Sequence, residues 1–166
     1  MDMDDYSQFL TDSIVRFLTS IGLRVLNADI AQQTFLPGIL VGRGGILVDT
    51  SRLLYPGDLL HEAGHLAVIP AERRARAQDY IGKKAAEEMM AIAWSYAALV
   101  HLGLKPSVVF HAGGYRGWSE SLIENFSNGR YVGVPMLQWI GLTADERQAK
   151  EKGIKPYPSM IKWVLD

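Results

Sequence analysis

The chain has 166 residues, of which 48% are hydrophobic and 21% are charged, and its formal net charge is −1. This length predicts a single domain over residues 1–166, with enough apolar side chains to form a core without disulfides. The near-zero charge gives no reason to expect nucleic acid or an anionic membrane as a partner. Cysteine is absent, so any zinc site must use histidine, aspartate or glutamate.

The start of the chain does not have the pattern expected of a secretory signal. Residues 1–5 are acidic, whereas a secretory signal begins with a basic segment followed by an apolar one. No apolar run approaches the roughly 18 to 20 residues that a membrane span needs. We therefore expect a cytoplasmic protein that does not contact a membrane.

Apolar residues at helical spacing predict a first helix over residues 5–20. Residues 35–41 and 46–49 then read as two strands around the glycine-rich turn 42–45, which predicts a hairpin. Pro56 and the two residues after it have the chemistry of a helix start, and this next helix cannot pass Pro70.

The rest of the chain is predicted to be mostly helical. The charged stretch 72–78 favours a short exposed helix, and residues 83–102 carry the longest helical pattern, with an apolar stripe that includes Ala85, Met89 and Val100. Shorter helices are expected over residues 119–126, 135–140, 144–152 and 158–164. The predicted fold class is α+β, mostly helical, with a small β-hairpin beside the helix that follows it.

That helix carries the sequence His61-Glu62-Ala63-Gly64-His65, an H-E-x-x-H pattern. A helix places residues i and i+4 on one face, so both imidazoles can bind one Zn²⁺ ion. Glu62 then lies beside a water molecule that the metal activates, and can take its proton as general base. The alternative is a pair of hydrogen-bonded core histidines, but two histidines and a glutamate on an apolar helix need partners that a metal supplies.

A third ligand must come from elsewhere, because no further histidine follows at metzincin spacing after His65. The helix predicted over residues 83–102 offers Glu87 and Glu88. Glu88 shares a face with apolar residues and points toward the core, whereas Glu87 leans toward solvent and can pair with lysine. Amphipathicity thus favours Glu88, with Glu87 as the alternative.

Residues 45–49, followed by Leu59 to Leu66 around the motif, resemble the ImmA/IrrE-type zinc metallopeptidases. The segment that begins at Glu88 is similar to the second helix of that family, with Ala91 and Trp94 at corresponding places, although Ile92 replaces an asparagine. The resemblance covers roughly residues 39–100. It implies a zincin-like (gluzincin) core, zinc, a peptide or protein substrate, and Glu88 as third ligand.

Peptide hydrolysis also needs a hydrogen-bond donor for the developing oxyanion. The glycine-rich segment 111–117 offers His111 and Tyr115, which we take as the main catalytic candidates besides Glu62. A solvent-facing turn is the alternative for this segment. Tyr131 is a weaker candidate, and His101, at the end of a helix, is interpreted as structural.

These residues favour a zinc-dependent hydrolase, with a peptidase as its most specific form. A non-catalytic zincin-like domain that binds metal or a partner is the alternative, since 166 residues leave little room for a deep cleft. Glu62 argues for the enzyme, because a purely structural zinc site does not need it. We also expect an extended peptide to pair with a sheet edge, and connectivity indicates residues 46–48 as that edge.

Overall fold

Helices form most of the chain in this computed structural model, which describes residues 2–78 and 84–166. The helices are α1 (Met3–Ser20), α2 (Asp58–Ala67), α3 (Ala71–Ala75), α4 (Ala85–His101), α5 (Ser119–Ser127), α6 (Val134–Trp139) and α7 (Glu146–Lys152). The strands are β1 (Val25–Asn27), β2 (Ile39–Gly42) and β3 (Gly45–Val48). The predicted α+β, mostly helical class is confirmed. Within the described ranges, no helix is both long and apolar enough to cross a membrane.

The three strands form one sheet in the order β1-β3-β2, with β1 parallel and β2 antiparallel to β3. The predicted hairpin is confirmed, and its two-residue turn has positive φ at Arg43 (52°) and Gly44 (71°), as the twist of a tight hairpin requires. Strand β1 was not predicted. Because it pairs with the other side of β3, the prediction that residues 46–48 form an open edge is wrong. The free edges of this sheet belong to β1 and β2.

The core lies between the sheet, helix α1 and the packed pair of helices α2 and α4. Helix α2 ends before Pro70, as predicted, and nearly all of its residues are buried. Gly64 sits at its closest approach to α4. A Cβ atom there would lie 2.8 Å from the carbonyl oxygen and 3.1 Å from the Cα of Ala91. Glycine at this position therefore lets the two helix backbones touch.

The apolar stripe predicted for the long helix is partly wrong. Ala85 is exposed, and Met89 and Val100 are 37% and 43% exposed. Other side chains of α4 face the core instead: Met90, Ala91, Ala93, Trp94, Tyr96, Ala97, Ala98 and Leu99. A helix that is buried on most of its circumference has no single apolar face, so the spacing of its apolar residues cannot identify the buried side. The predicted start of this helix at Lys83 lies outside the described residues.

The first helix and the short helix after Pro70 are confirmed as α1 and α3, and three of the four later helices as α5, α6 and α7. The helix predicted over residues 158–164 is wrong, because that backbone bonds to other elements. Ile161 N–H donates to Leu142 O at 2.8 Å, and Leu165 N–H donates to Ala67 O at 2.8 Å. The C-terminal segment is thereby tied to the end of the motif helix.

Candidate metal centre

Two histidine nitrogens and both oxygens of one carboxylate converge where α2 meets α4. His65 Nε2 lies 2.9 Å from Glu88 Oε2, and His61 Nε2 lies 3.5 Å from Glu88 Oε1. The two Nε2 atoms are 3.1 Å apart, and the two rings are perpendicular. The structure thus brings together the three residues predicted as ligands, and they form a group that could hold a metal ion.

The spacing of these atoms fits a tetrahedral zinc ion. Bonds of about 2.0 to 2.1 Å from zinc to nitrogen or oxygen place neighbouring ligand atoms about 3.3 Å apart. The Nε2 atoms of His61 and His65, 3.1 Å apart, and the pair His61 Nε2 and Glu88 Oε1, 3.5 Å apart, come close to that edge length. His65 Nε2 lies 2.9 Å from the other carboxylate oxygen, Oε2. These distances are compatible with two imidazole nitrogens and one carboxylate oxygen as the ligands of a metal ion.

The chemistry of the donors agrees with the geometry. Two imidazole nitrogens in contact need either a shared proton or a cation, since their lone pairs otherwise repel. Burial acts to lower the pKa of His61, but the hydrogen bond and charge of Glu88 outweigh it and raise that pKa. Burial likewise acts to raise the pKa of Glu88, and its hydrogen bonds with His61 and His65 hold it well below the usual range. The site is built to hold positive charge.

Glu87 does not join this cluster. Its side chain is only 11% exposed and forms a bidentate ion pair with Arg73 of α3, with Nη2 to Oε2 at 2.9 Å. The prediction that Glu87 leans toward solvent is therefore wrong, although Lys84 does lie 3.7 Å from it. Hydrogen bonding to Arg73 lowers the pKa of Glu87. Of the two adjacent carboxylates, α4 aims only Glu88 at the histidines.

Glu62 lines a cleft beside the cluster. The cleft has a volume of about 240 Å³ and is bounded by Glu62, by residues 32–36 and by Ile39, Leu40 and Val41 of β2. Glu62 is 6% exposed, and burial raises its pKa against the opposing effect of the two histidines. A carboxylate with a raised pKa at the wall of a cleft is suited to exchanging protons with a bound molecule.

The two catalytic candidates of the glycine-rich segment both contact α2. The Tyr115 hydroxyl lies 3.1 Å from His61 Nδ1, the ring nitrogen that faces away from Glu88. His111 Nε2 lies 2.7 Å from Asp58 Oδ1, at the start of α2. Burial raises the pKa of Asp58 against the hydrogen bond from His111, and raises the pKa of the Tyr115 hydroxyl. Tyr115 thus lies behind the His61 ring and His111 lies at the start of α2, and their assignment as oxyanion donors stays a prediction.

Two residues of this outer network were not predicted as site residues. Asp58 was interpreted only as a favourable charge at the start of a helix, although its position one turn before His61 places both on one face. Tyr55 stacks on the His111 ring, with centroids 3.8 Å apart. No sequence signal indicates that stacking, since the two rings come from segments far apart in the chain.

The remaining candidates lie in packing environments. Tyr131 belongs to an aromatic cluster, with its ring 4.6 Å from that of Tyr157. His101 packs between Phe17 and Trp163, at centroid distances of 5.4 and 5.3 Å. Among the described residues, no contact links Tyr131 or His101 to the cluster of His61, His65 and Glu88.

Comparison of the chain with protein-family models, with curated proteins and with solved structures finds no match. The interpretation of the site therefore rests on its own residues.

Proposed function

We propose that the chain is a zinc-dependent hydrolase of peptide bonds, with His61, His65 and Glu88 as ligands and Glu62 as general base. The observation that carries the proposal is the meeting of the His61, His65 and Glu88 side chains, which contact one another at 2.9 to 3.5 Å. Glu62, the residue after His61, lines the neighbouring cleft. A zincin-like core and a cytoplasmic location, both expected from the sequence, remain part of this proposal.

The protein's own groups supply the proton transfers. Bound zinc would polarise the scissile carbonyl and lower the pKa of water. As the water oxygen attacks the carbonyl carbon, the Glu62 carboxylate takes a proton from that water. Glu62 then donates the proton to the leaving amine nitrogen as the C–N bond breaks. Glu62 follows His61 in the chain and lines the cleft, so its carboxylate can reach both a water molecule and a substrate amide bound there.

Substitution of Glu62 by glutamine tests the mechanism. We expect the purified variant to keep about one zinc per chain and to lose hydrolysis of a quenched-fluorescence peptide library by about 100-fold or more. Zinc content measured by elemental analysis and initial rates measured on the same sample separate binding from chemistry. Glu72→Gln, at an exposed carboxylate of α3, is the matched control and should retain full activity. Equal rates for Glu62→Gln and the unaltered protein would contradict the proposed role of Glu62.

The free edge of β2 is the place where an extended substrate can pair. In a hairpin with a two-residue turn, the pairs Gly42–Gly45 and Leu40–Leu47 exchange hydrogen bonds across the strands. The N–H and C=O of Val41 therefore point away from β3, toward the outer side. Val41 also lines the cleft that contains Glu62. An added strand at this edge would run past the proposed base, and the sheet-edge hypothesis moves from β3 to β2.

Amide hydrogen exchange tests the pairing. On adding an excess of a peptide substrate to Glu62→Gln, we expect exchange of the Val41 amide to slow, because the peptide gives it a hydrogen-bond partner. The Leu40 amide is an internal control, since β3 already protects it. Unchanged exchange at Val41 with a peptide that demonstrably binds would place the substrate elsewhere.

A non-catalytic metal-binding domain is the second candidate, and the size of the cleft favours it. Its volume of about 240 Å³ is below the range of about 300 to 1,000 Å³ that is common for ligand pockets. The same measurements decide between the two functions. A protein that binds zinc but hydrolyses no peptide of the library would support the non-catalytic domain.

A further inference from the structure

The two proposed histidine ligands differ in what supports them from behind. His61 Nδ1 lies 3.1 Å from the Tyr115 hydroxyl. His65 Nδ1 is buried and has no hydrogen-bond partner within the described residues. Histidine ligands usually donate their second ring N–H to an acceptor, which fixes both the tautomer and the ring orientation. In this site only His61 has such a partner.

Tyr115 reaches His61 from a segment with unusual backbone geometry. Tyr115 and Arg116 have φ angles of 55° and 50°, in the left-handed region that non-glycine residues rarely adopt. Two consecutive residues of this kind persist only where the surroundings hold them, and such places are often functional. With this backbone, the Tyr115 ring lies between Phe110, with ring centroids 5.3 Å apart, and His61, with ring centroids 5.4 Å apart.

The same segment is anchored to the helix that carries His61. His111 binds Asp58 in the first turn of α2 at 2.7 Å. Ser119 Oγ donates to the carbonyl oxygen of His111 at 2.6 Å and contacts that of Gly114 at 3.3 Å. Contacts of His111 and Ser119, which lie on either side of Tyr115 in the chain, therefore fix the position of Tyr115 relative to the start of α2.

We propose that Tyr115 is a positioning residue whose hydroxyl accepts the Nδ1–H of His61 and so keeps His61 Nε2 aimed at the metal. This inference rests on the proposed zinc site and deepens it. With Nε2 bound to the metal, the imidazole proton must reside on Nδ1, and the Tyr115 oxygen is the acceptor in reach. In this proposal, the left-handed backbone at Tyr115 and Arg116 serves to place the acceptor oxygen of Tyr115 at His61 Nδ1.

Tyr115→Phe removes the hydroxyl and keeps the ring. We expect the zinc dissociation constant, measured by competition with a chelator of known affinity, to rise by about 10- to 100-fold. The unfolding midpoint of the zinc-free variant should match that of the unaltered zinc-free chain, which a general loss of structure would not allow. Tyr131→Phe makes the same chemical change in the aromatic cluster and should leave zinc affinity unaltered.

A spectroscopic measurement on the unaltered chain does not depend on how the variant folds. In a long-range proton–nitrogen spectrum of the zinc-loaded protein, His61 should carry its proton on Nδ1. A Tyr115→Phe variant that binds zinc as tightly as the unaltered chain would overturn this inference alone. A proton on Nε2 would overturn this inference and also remove His61 Nε2 from the proposed ligands. An unaltered chain that binds no zinc would overturn the proposed function, and this inference with it.

Discussion

Glu88→Gln is expected to weaken zinc binding by about 100-fold and to abolish hydrolysis with it. Zinc sites in small domains bind with roughly 10 to 16 kcal/mol shared by four ligands. One ligand thus contributes about 3 kcal/mol, which corresponds to about 100-fold in affinity. The Glu88 carboxylate contacts both histidines, at 2.9 and 3.5 Å, so a neutral amide there removes the charge at the centre of the cluster.

Glu87→Gln is the matched control for that experiment. It makes the same change one residue earlier, where the carboxylate pairs with Arg73 instead of the histidines. Zinc affinity by chelator competition should stay the same, while the free energy of unfolding should fall by about 1 kcal/mol, because the ion pair is partly exposed. A larger loss of zinc from Glu87→Gln than from Glu88→Gln would mean that the third ligand has been assigned to the wrong residue.

Gly64→Val is expected to lower the free energy of unfolding by about 3 kcal/mol and to weaken zinc binding. Even the first added carbon would lie 2.8 Å from the backbone oxygen of Ala91, and backbone cannot rotate away as a side chain can. Helix α4 must then move outward. Because Glu88 lies one turn before Ala91 on the same helix, its carboxylate moves away from the histidines.

Denaturant unfolding and zinc titration of Gly64→Val check this expectation, with Gly42→Val as control. A Cβ atom at Gly42 would meet only a side-chain carbon of Leu47, at 3.6 Å, an ordinary contact distance. Valine also suits a strand position. Zinc affinity should therefore stay the same in Gly42→Val. Unaltered stability and zinc affinity in Gly64→Val would show that the two helices have room to separate.

The parts of the fold that could be predicted have local signals. Pro56 and the two residues after it indicate the start of α2, and the glycines around Arg43 indicate the hairpin turn. The ligand pair His61 and His65 follows from helical spacing alone. Strand β1 has no comparable signal, because three half-buried or exposed residues become a strand only through pairing with β3.

The misassigned details all depend on contacts with distant segments. Glu87 is buried because Arg73 reaches it from another helix, which amphipathicity within one helix cannot reveal. Residues 158–164 have apolar spacing that suits a helix, but the Ile161 amide donates to Leu142 O. The next residue after this segment, Leu165, donates its amide to Ala67 O. The hydrogen bonds between Tyr115 and His61 and between His111 and Asp58 likewise join residues more than 50 positions apart.

The placement of all three proposed ligands on α2 and α4 also bears on how the chain folds. These helices are near neighbours in sequence, so bringing the ligands together closes a short loop at a small cost in chain entropy. Contacts between near neighbours form faster than those between distant segments. We therefore expect the ligand triad to form early, within a local folding unit, and Tyr115 to reach His61 later, as the second half of the chain docks.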